Sequence, residues 1–209
     1  MEQRRWLLTS SEVVVFGARK RKERGTGNKK GEKRKKMQRQ RRSHWPTDNS
    51  KDRSKARDVD GFKLWYSESE RRQNGVSILV NKDLRGQVVE VRRVSDRLMT
   101  IKIVVGGFTL HVCSVYALQT GLDEEVKASF WEALDEVVRS VPSLENIFIA
   151  GDFNRHIGVL LGGYDDVHGG FGFGDRNGKG AALLDFTRAF GLVVVNSSFS
   201  KKEDHLITF

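Results

Sequence analysis

Between residues 17 and 57 the chain offers almost nothing that a folded core could bury. Arg19-Lys20-Arg21-Lys22 and Lys33-Arg34-Lys35-Lys36 form two basic clusters, and Arg39, Arg41 and Arg42 extend the second. Such a stretch cannot offset its own ordering entropy with apolar burial, so residues 1–59 are read as a disordered basic segment. The fold is then limited to what residues 60–209 can build, which is one ordinary domain. Charge divides at the same place. Residues 1–59 carry 20 Lys and Arg against 7 Asp and Glu, or +13, and residues 60–209 carry 17 against 20, or −3. The overall +10 therefore belongs to the head of the chain. Runs of this kind act as nuclear import signals or grip phosphates without sequence preference, so DNA is the expected partner of this segment.

Several classes are excluded. The lone Cys113 cannot staple a secreted scaffold or build a thiolate zinc site. No apolar run approaches the roughly 20 residues of a membrane-spanning helix, so no membrane partner is expected. The opening Trp6-Leu7-Leu8 and Val13-Val14-Val15-Phe16 are interrupted by Glu12 and lack a cleavage signature, which points away from a signal peptide. An intracellular protein, with the nucleus as a destination for the basic clusters, is the expectation.

From residue 61 the texture changes. Val76–Val80 and Val88–Val94 are short β-like runs. Leu98–Val105 and Phe108–Tyr116 are joined by Gly106-Gly107, the composition of a hairpin turn. The period then lengthens: Leu122, Val126, Phe130, Leu134, Val137 and Val141 mark an amphipathic helix with Asp123, Glu124 and Glu125 at its start, where the macrodipole favours acids. Asn146–Ala150 is an apolar strand running into Gly151-Asp152-Phe153-Asn154. A glycine-rich loop covers 158–180. Ala181–Phe190 reads as a second helix closed by Gly191, Leu192–Val195 as a strand, and Leu206–Phe209 as the start of another. This order of hairpins, helices and buried strands predicts an α/β sandwich.

The chemistry centres on Gly151-Asp152-Phe153-Asn154. An apolar strand delivers an Asp and an Asn two residues apart, on one side if the strand continues. A carboxylate beside an amide suits water activation and oxyanion stabilisation, and equally suits an Asx-turn that ends a strand. Tyr116, at the end of an alternating strand, can donate to a phosphate or close a core. Gly174 to Gly180 is one residue short of a P-loop and has Gly180 where Ser or Thr should hold magnesium. Arg176 and Asn177, at the end of a loop expected to be flexible, are placed to contact a backbone. None of His44, His111, His156, His168 and His205 forms a helical zinc pair.

Taken in order, Gly61–Tyr66, Asn74–Val80, Ser95–Met99, Ser114–Ala117, Gly151–Asn154, Arg176–Gly178 and Leu184–Phe186 resemble the endonuclease/exonuclease/phosphatase family with the DNase I-like fold. Within it, residues 60–209 look like the retroelement endonuclease domains labelled craniofacial development protein 2-like. The resemblance implies a four-layer α/β sandwich, a magnesium ion and hydrolysis of DNA phosphodiester bonds. It makes Tyr116 the tyrosine on the scissile phosphate, Asp152 the aspartate on the attacking water, and Asn154 the asparagine that holds the transition state. Gln119 falls where a polar phosphate contact is common, and Asn177 matches a substrate-touching loop asparagine.

The departures are specific. The family's early metal-side Asn and the Gln-Glu strand that carries its main metal ligand should precede Gly61, where the basic segment stands. Leu118 replaces a Pro after Tyr116-Ala117. The later Asp and the final Ser-Asp-His would follow Phe209. The domain is thus expected to be truncated at both ends, with strands missing, edges exposed and no metal ligand to assign. Loss of one preorganised group costs about 10²–10³ in rate, and such losses do not add. Three readings remain at this point: a metal-dependent endonuclease, a degenerate DNA-binding remnant with weak or no turnover, and a non-functional truncated domain.

Overall fold

The computed structural model describes residues 5–9, for which only the backbone is described, and residues 56–67, 75–119 and 123–200. Its described part is a mixed α/β unit with two sheets and three helices.

The larger sheet has six strands, in the order 88–93, 98–105, 108–116, 146–152, 5–9 and 193–194. Its antiparallel half is β5 (Val88–Arg93), β6 (Leu98–Val105) and β7 (Phe108–Tyr116). Gly106 and Gly107 both take positive φ, so the expected hairpin closes where only glycine is at ease, with Val105 opposite Phe108. Its parallel half is β8 (Asn146–Asp152), β1 (Arg5–Thr9) and the two-residue β9 (Val193–Val194). The smaller sheet is β2 (Ala56–Val59), β3 (Phe62–Tyr66) and β4 (Ser77–Asn81), all antiparallel.

β1 corrects an expectation. It lies in the middle of the larger sheet, from Arg5 opposite Ile147 to Thr9 opposite Gly151. β2 begins at Ala56. A strand therefore occupies the sheet ahead of Gly61, where none was expected. The basic clusters and their expected disorder fall in residues 10–55, outside the described residues, as does the expected strand at Leu206–Phe209.

Two clusters bury the faces of the larger sheet. On one, Phe130, Leu134, Val137 and Val138 of α2 (Glu124–Ser140) and Leu183 and Leu184 of α3 (Gly178–Ala189) pack on Leu98, Cys113, Val115, Ile147 and Ile149. On the other, Val76, Ile78 and Val80 meet Met99, Ile101, Ile103 and Val112, with Trp65, Tyr116 and Phe148 beside them. Helices, large sheet and small sheet form three layers. A four-residue helix, α1 (Lys82–Arg85), follows β4 and was not expected.

Asp123 caps α2 and Glu124 and Glu125 fill its first turn, as read. The buried stripe starts one turn late, because Val126 is exposed. α3 starts three residues earlier than expected, since the Asn177 side chain accepts from the Gly180 N–H and caps it there. Gly191 follows at φ +61, the conformation expected of a terminating glycine. Leu118, at the position where the resemblance expects Pro, is buried with the helix-side cluster.

Candidate functional site

β7 and β8 run parallel and finish together, with Tyr116 opposite Asp152. Parallel neighbours in register present their side chains on the same face. Tyr116 packs with the inter-sheet cluster, so Asp152 also faces the space between the two sheets, at the carboxyl ends of their strands. The apolar stretch 147–150 of β8 brings the carboxylate there because Ile147, Ile149 and Ala150 are buried on the way.

The strand ends are tied to each other. The Ala117 N–H donates to the Asp152 carbonyl at 2.8 Å, and the Asn154 Nδ2 donates to the Ala117 carbonyl at 2.7 Å. The Asn154 N–H donates to Asp152 Oδ1 at 2.8 Å, which is the Asx-turn. The turn and the chemical arrangement are therefore the same object. Asn154 holds φ +49, a conformation that Asn tolerates better than most residues. At Gly151 a Cβ would stand 1.8 Å from the Val115 carbonyl oxygen, so only glycine lets β8 approach β7 this closely. Gln119 is exposed and its Nε2 donates to Tyr116 Oη at 3.4 Å.

Tyr116, Gln119, Asp152 and Asn154 are thus brought together. Asn177 is bonded to other partners. It spends its side-chain oxygen on the α3 cap, and its N–H donates to the His156 carbonyl at 3.2 Å. Its link to the group runs through the short segment that follows Asn154.

The glycine-rich loop is pinned at many points. The Arg176 guanidinium lies 4.7 Å over the Tyr164 ring and donates to the Leu161 carbonyl at 3.0 Å. Arg188 stacks on Tyr164 at 4.6 Å and pairs with Asp166. Buried His168 donates from Nε2 to the Gly158 carbonyl and accepts at Nδ1 from the Gly170 N–H. Burial holds its pKa below the ordinary value, so the ring is neutral with the proton on Nε2. Arg176, read as placed to contact a backbone, is engaged within the loop.

Sequence reasoning gave no role to Arg97. The Tyr116 N–H donates to its carbonyl at 2.9 Å, so Arg97 extends the row on the β6 side. Its guanidinium lies 5.1 Å over the Tyr116 ring. Cation, phenol and carboxylate stand in one line across three strands. The signal was present as alternation: Arg97 is two residues before Met99, which packs between the sheets. Arg155 turns the other way, 5.7 Å over Trp131, and burial lowers its pKa.

Magnesium takes one or two carboxylates together with waters and substrate phosphates. Among the described residues the site supplies Asp152 alone, and no three His, Cys, Asp or Glu side chains group closely enough to hold a metal ion. One carboxylate is the minimum of such a set, and Asp152 would be the residue to hold the ion beside waters and a substrate phosphate.

No family model matches the chain. It is 28% identical to craniofacial development protein 2 of Bos taurus over 150 residues, which cover 72% of this chain and 25% of that protein. The protein of the same name from Tragulus javanicus is 27% identical over 150 residues, covering 72% of this chain and 26% of that one. The chain is similar to craniofacial development protein 2. It spans about a quarter of the length of these curated relatives. Among the described residues no helix is long and apolar enough to cross a membrane.

Proposed function

We propose that this chain is a retroelement-derived domain of the DNase I-like endonuclease type, directed at DNA phosphodiester bonds, in which phosphate binding outlasts hydrolysis. A second helix layer on the small sheet would complete the four-layer sandwich of that fold. The observation that carries the reading is the register of Tyr116 against Asp152, with Asn154 folded back onto Ala117. In this arrangement the Tyr116 hydroxyl and the Gln119 amide donate to non-bridging phosphate oxygens. The Asp152 carboxylate accepts a proton from a water on the phosphorus side. Asn154 holds the two strand ends at their spacing, with its remaining amide hydrogen and carbonyl oxygen directed to substrate. The basic residues of segment 10–55 add sequence-independent attraction for the backbone, in the nucleus if the clusters serve as import signals. Turnover is weak in this reading because, among the described residues, Asp152 is the one carboxylate at the strand ends, where the reaction type uses several charged groups.

Nicking of supercoiled plasmid in magnesium buffer, with Asp152→Ala alongside, tests this. Plasmid retardation with little or no nicking is the expected result. Metal-dependent nicking that disappears in Asp152→Ala would mean that a further carboxylate, such as Glu32, Asp48 or Asp52, completes an active centre. Absence of any DNA binding would overturn the reading.

A further inference from the structure

We propose that Arg97 is a phosphate-binding residue of this site, holding the non-bridging oxygens of a phosphodiester across the Tyr116 ring from Asp152. The inference rests on the phosphodiester reading above and adds to it the group that makes the site hospitable to an anion. Tyr116 and Gln119 are neutral, and Asp152 repels phosphate. A guanidinium seated on the Tyr116 ring brings positive charge to this row.

Arg97 has the placement for it. Its Cα is two strand spacings from that of Asp152, or about 10 Å at roughly 4.8 Å per strand. Side chains reaching inward from both ends of that line can address opposite sides of one phosphate. The guanidinium is held by the Tyr116 ring at 5.1 Å. The backbone is held as well: the Arg97 N–H donates to Ser95 Oγ at 3.1 Å, and its carbonyl accepts from Tyr116. The preceding Asp96 carbonyl accepts from the Val76 N–H at 3.2 Å and from Ser67 Oγ at 3.0 Å.

Arg97 also has donors to offer. Among the described residues no carboxylate pairs with it. By contrast, Arg139 is engaged by Asp135, Arg188 by Asp166 and Arg85 by Asp58. A planar guanidinium seated on an aromatic face presents its N–H fork in a fixed plane, the geometry that matches phosphate oxygens two at a time. Tyr116 then has two tasks, as a hydroxyl donor and as the platform that orients Arg97.

The test uses the full chain, isotope-labelled, and inorganic phosphate as the probe, with no DNA and no metal. The Arg97 Nε–Hε resonance is assigned through its own backbone amide, and the amides of Asp152 and Asn154 report binding at the site. Phosphate is expected to shift the Arg97 resonance saturably while those of Arg139 and Arg188 stay still. Arg97→Lys, which keeps the charge and loses the fork, is expected to weaken phosphate binding at Asp152 and Asn154 about tenfold. The proposal is overturned if phosphate leaves the Arg97 resonance unmoved in the wild type, or binds Arg97→Lys equally well. The wild-type titration decides alone if the variant does not fold. Phosphate binding at Arg97 in a chain that neither retards nor nicks plasmid would leave this assignment standing while the DNA reading falls.

Discussion

The same three strands, β6, β7 and β8, carry a charged row at each end of the large sheet, and the two rows are built on opposite principles. At the amino end of β8, on the helix-covered face, Glu145 accepts from Lys102 Nζ at 3.1 Å and pairs with His111 Nε2. Lys102 stands directly opposite His111. All three side chains are largely buried, and the bonds to His111 and Lys102 hold the Glu145 carboxyl below the usual carboxylate range. That row closes on itself. At the carboxyl end, on the inter-sheet face, Arg97 lies over Tyr116 and Tyr116 lies beside Asp152, yet among the described residues no ion pair joins Arg97 to Asp152. Where charges answer each other the row is part of the scaffold; at the carboxyl end Arg97 rests on an aromatic ring, and no carboxylate among the described residues pairs with it.

The largest expected effect comes from breaking the approach of the strands that makes the site row possible. Gly151→Ala drives a Cβ into the Val115 carbonyl and should cost about 3 kcal/mol or more, lowering the melting temperature and removing DNA binding together. Leu134→Ala empties a fully buried position on the helix side and should cost a similar 2–5 kcal/mol, roughly, while leaving affinity for DNA per folded molecule unchanged. A melt and a binding titration on both variants separate the two. Should Leu134→Ala also abolish binding by folded protein, the site would not be a local property of the strand ends.

The closed row can be opened from its own side. Glu145→Gln leaves Lys102 and His111 without their carboxylate and should cost about 1 kcal/mol in a denaturant titration, with no change in DNA binding. A loss of binding there would break the contrast between the two ends.

Acid should weaken the scaffold. His168 is neutral in the fold with its pKa lowered, whereas in the unfolded chain it titrates near 6.5. The unfolded state therefore binds more protons once the pH falls below about 6.5, and stability declines from there down to the folded pKa. Glu145, also lowered, adds a second decline at more acidic pH, beginning near its unfolded value of about 4.3. Melting temperature against pH should fall from about pH 6.5 in the wild type and should not fall in that window in His168→Gln.

The smallest effect concerns Asn177. Asn177→Ser keeps the cap of α3 and should leave the melt within about 0.5 kcal/mol, while Asn177→Ala should cost about 1 kcal/mol. If Asn177 also touches substrate, Asn177→Ser weakens DNA binding without moving the melt.

What the sequence revealed follows from how local each signal is. The hairpin of β6 and β7, helix α2 and strand β8 were legible, because their turn glycines, their period and their apolar run lie within a few residues of one another. Tyr116, Asp152 and Asn154 were legible as residues, and their register became visible only in the fold. β1 was missed because five residues near the start of the chain carry no turn signal, and its partners β8 and β9 lie far along the sequence. Arg97 was missed because a charged residue just before a strand looks like a solvated edge. The pinned loop was misread as flexible because glycine content suggests freedom, whereas here it permits close contact: a Cβ at Gly172 would meet the Gly158 carbonyl at 2.1 Å.

The central claim, that the carboxyl-end row is the phosphate site and the amino-end row is scaffold, is tested most directly by the salt dependence of duplex DNA binding. Arg97→Ala and Lys102→Ala each remove one positive charge from the same strand region. The account predicts that Arg97→Ala weakens binding about tenfold and lowers the slope of log affinity against log salt by about one, while Lys102→Ala leaves both unchanged. Equal losses in the two variants, or a loss confined to Lys102→Ala, would contradict it.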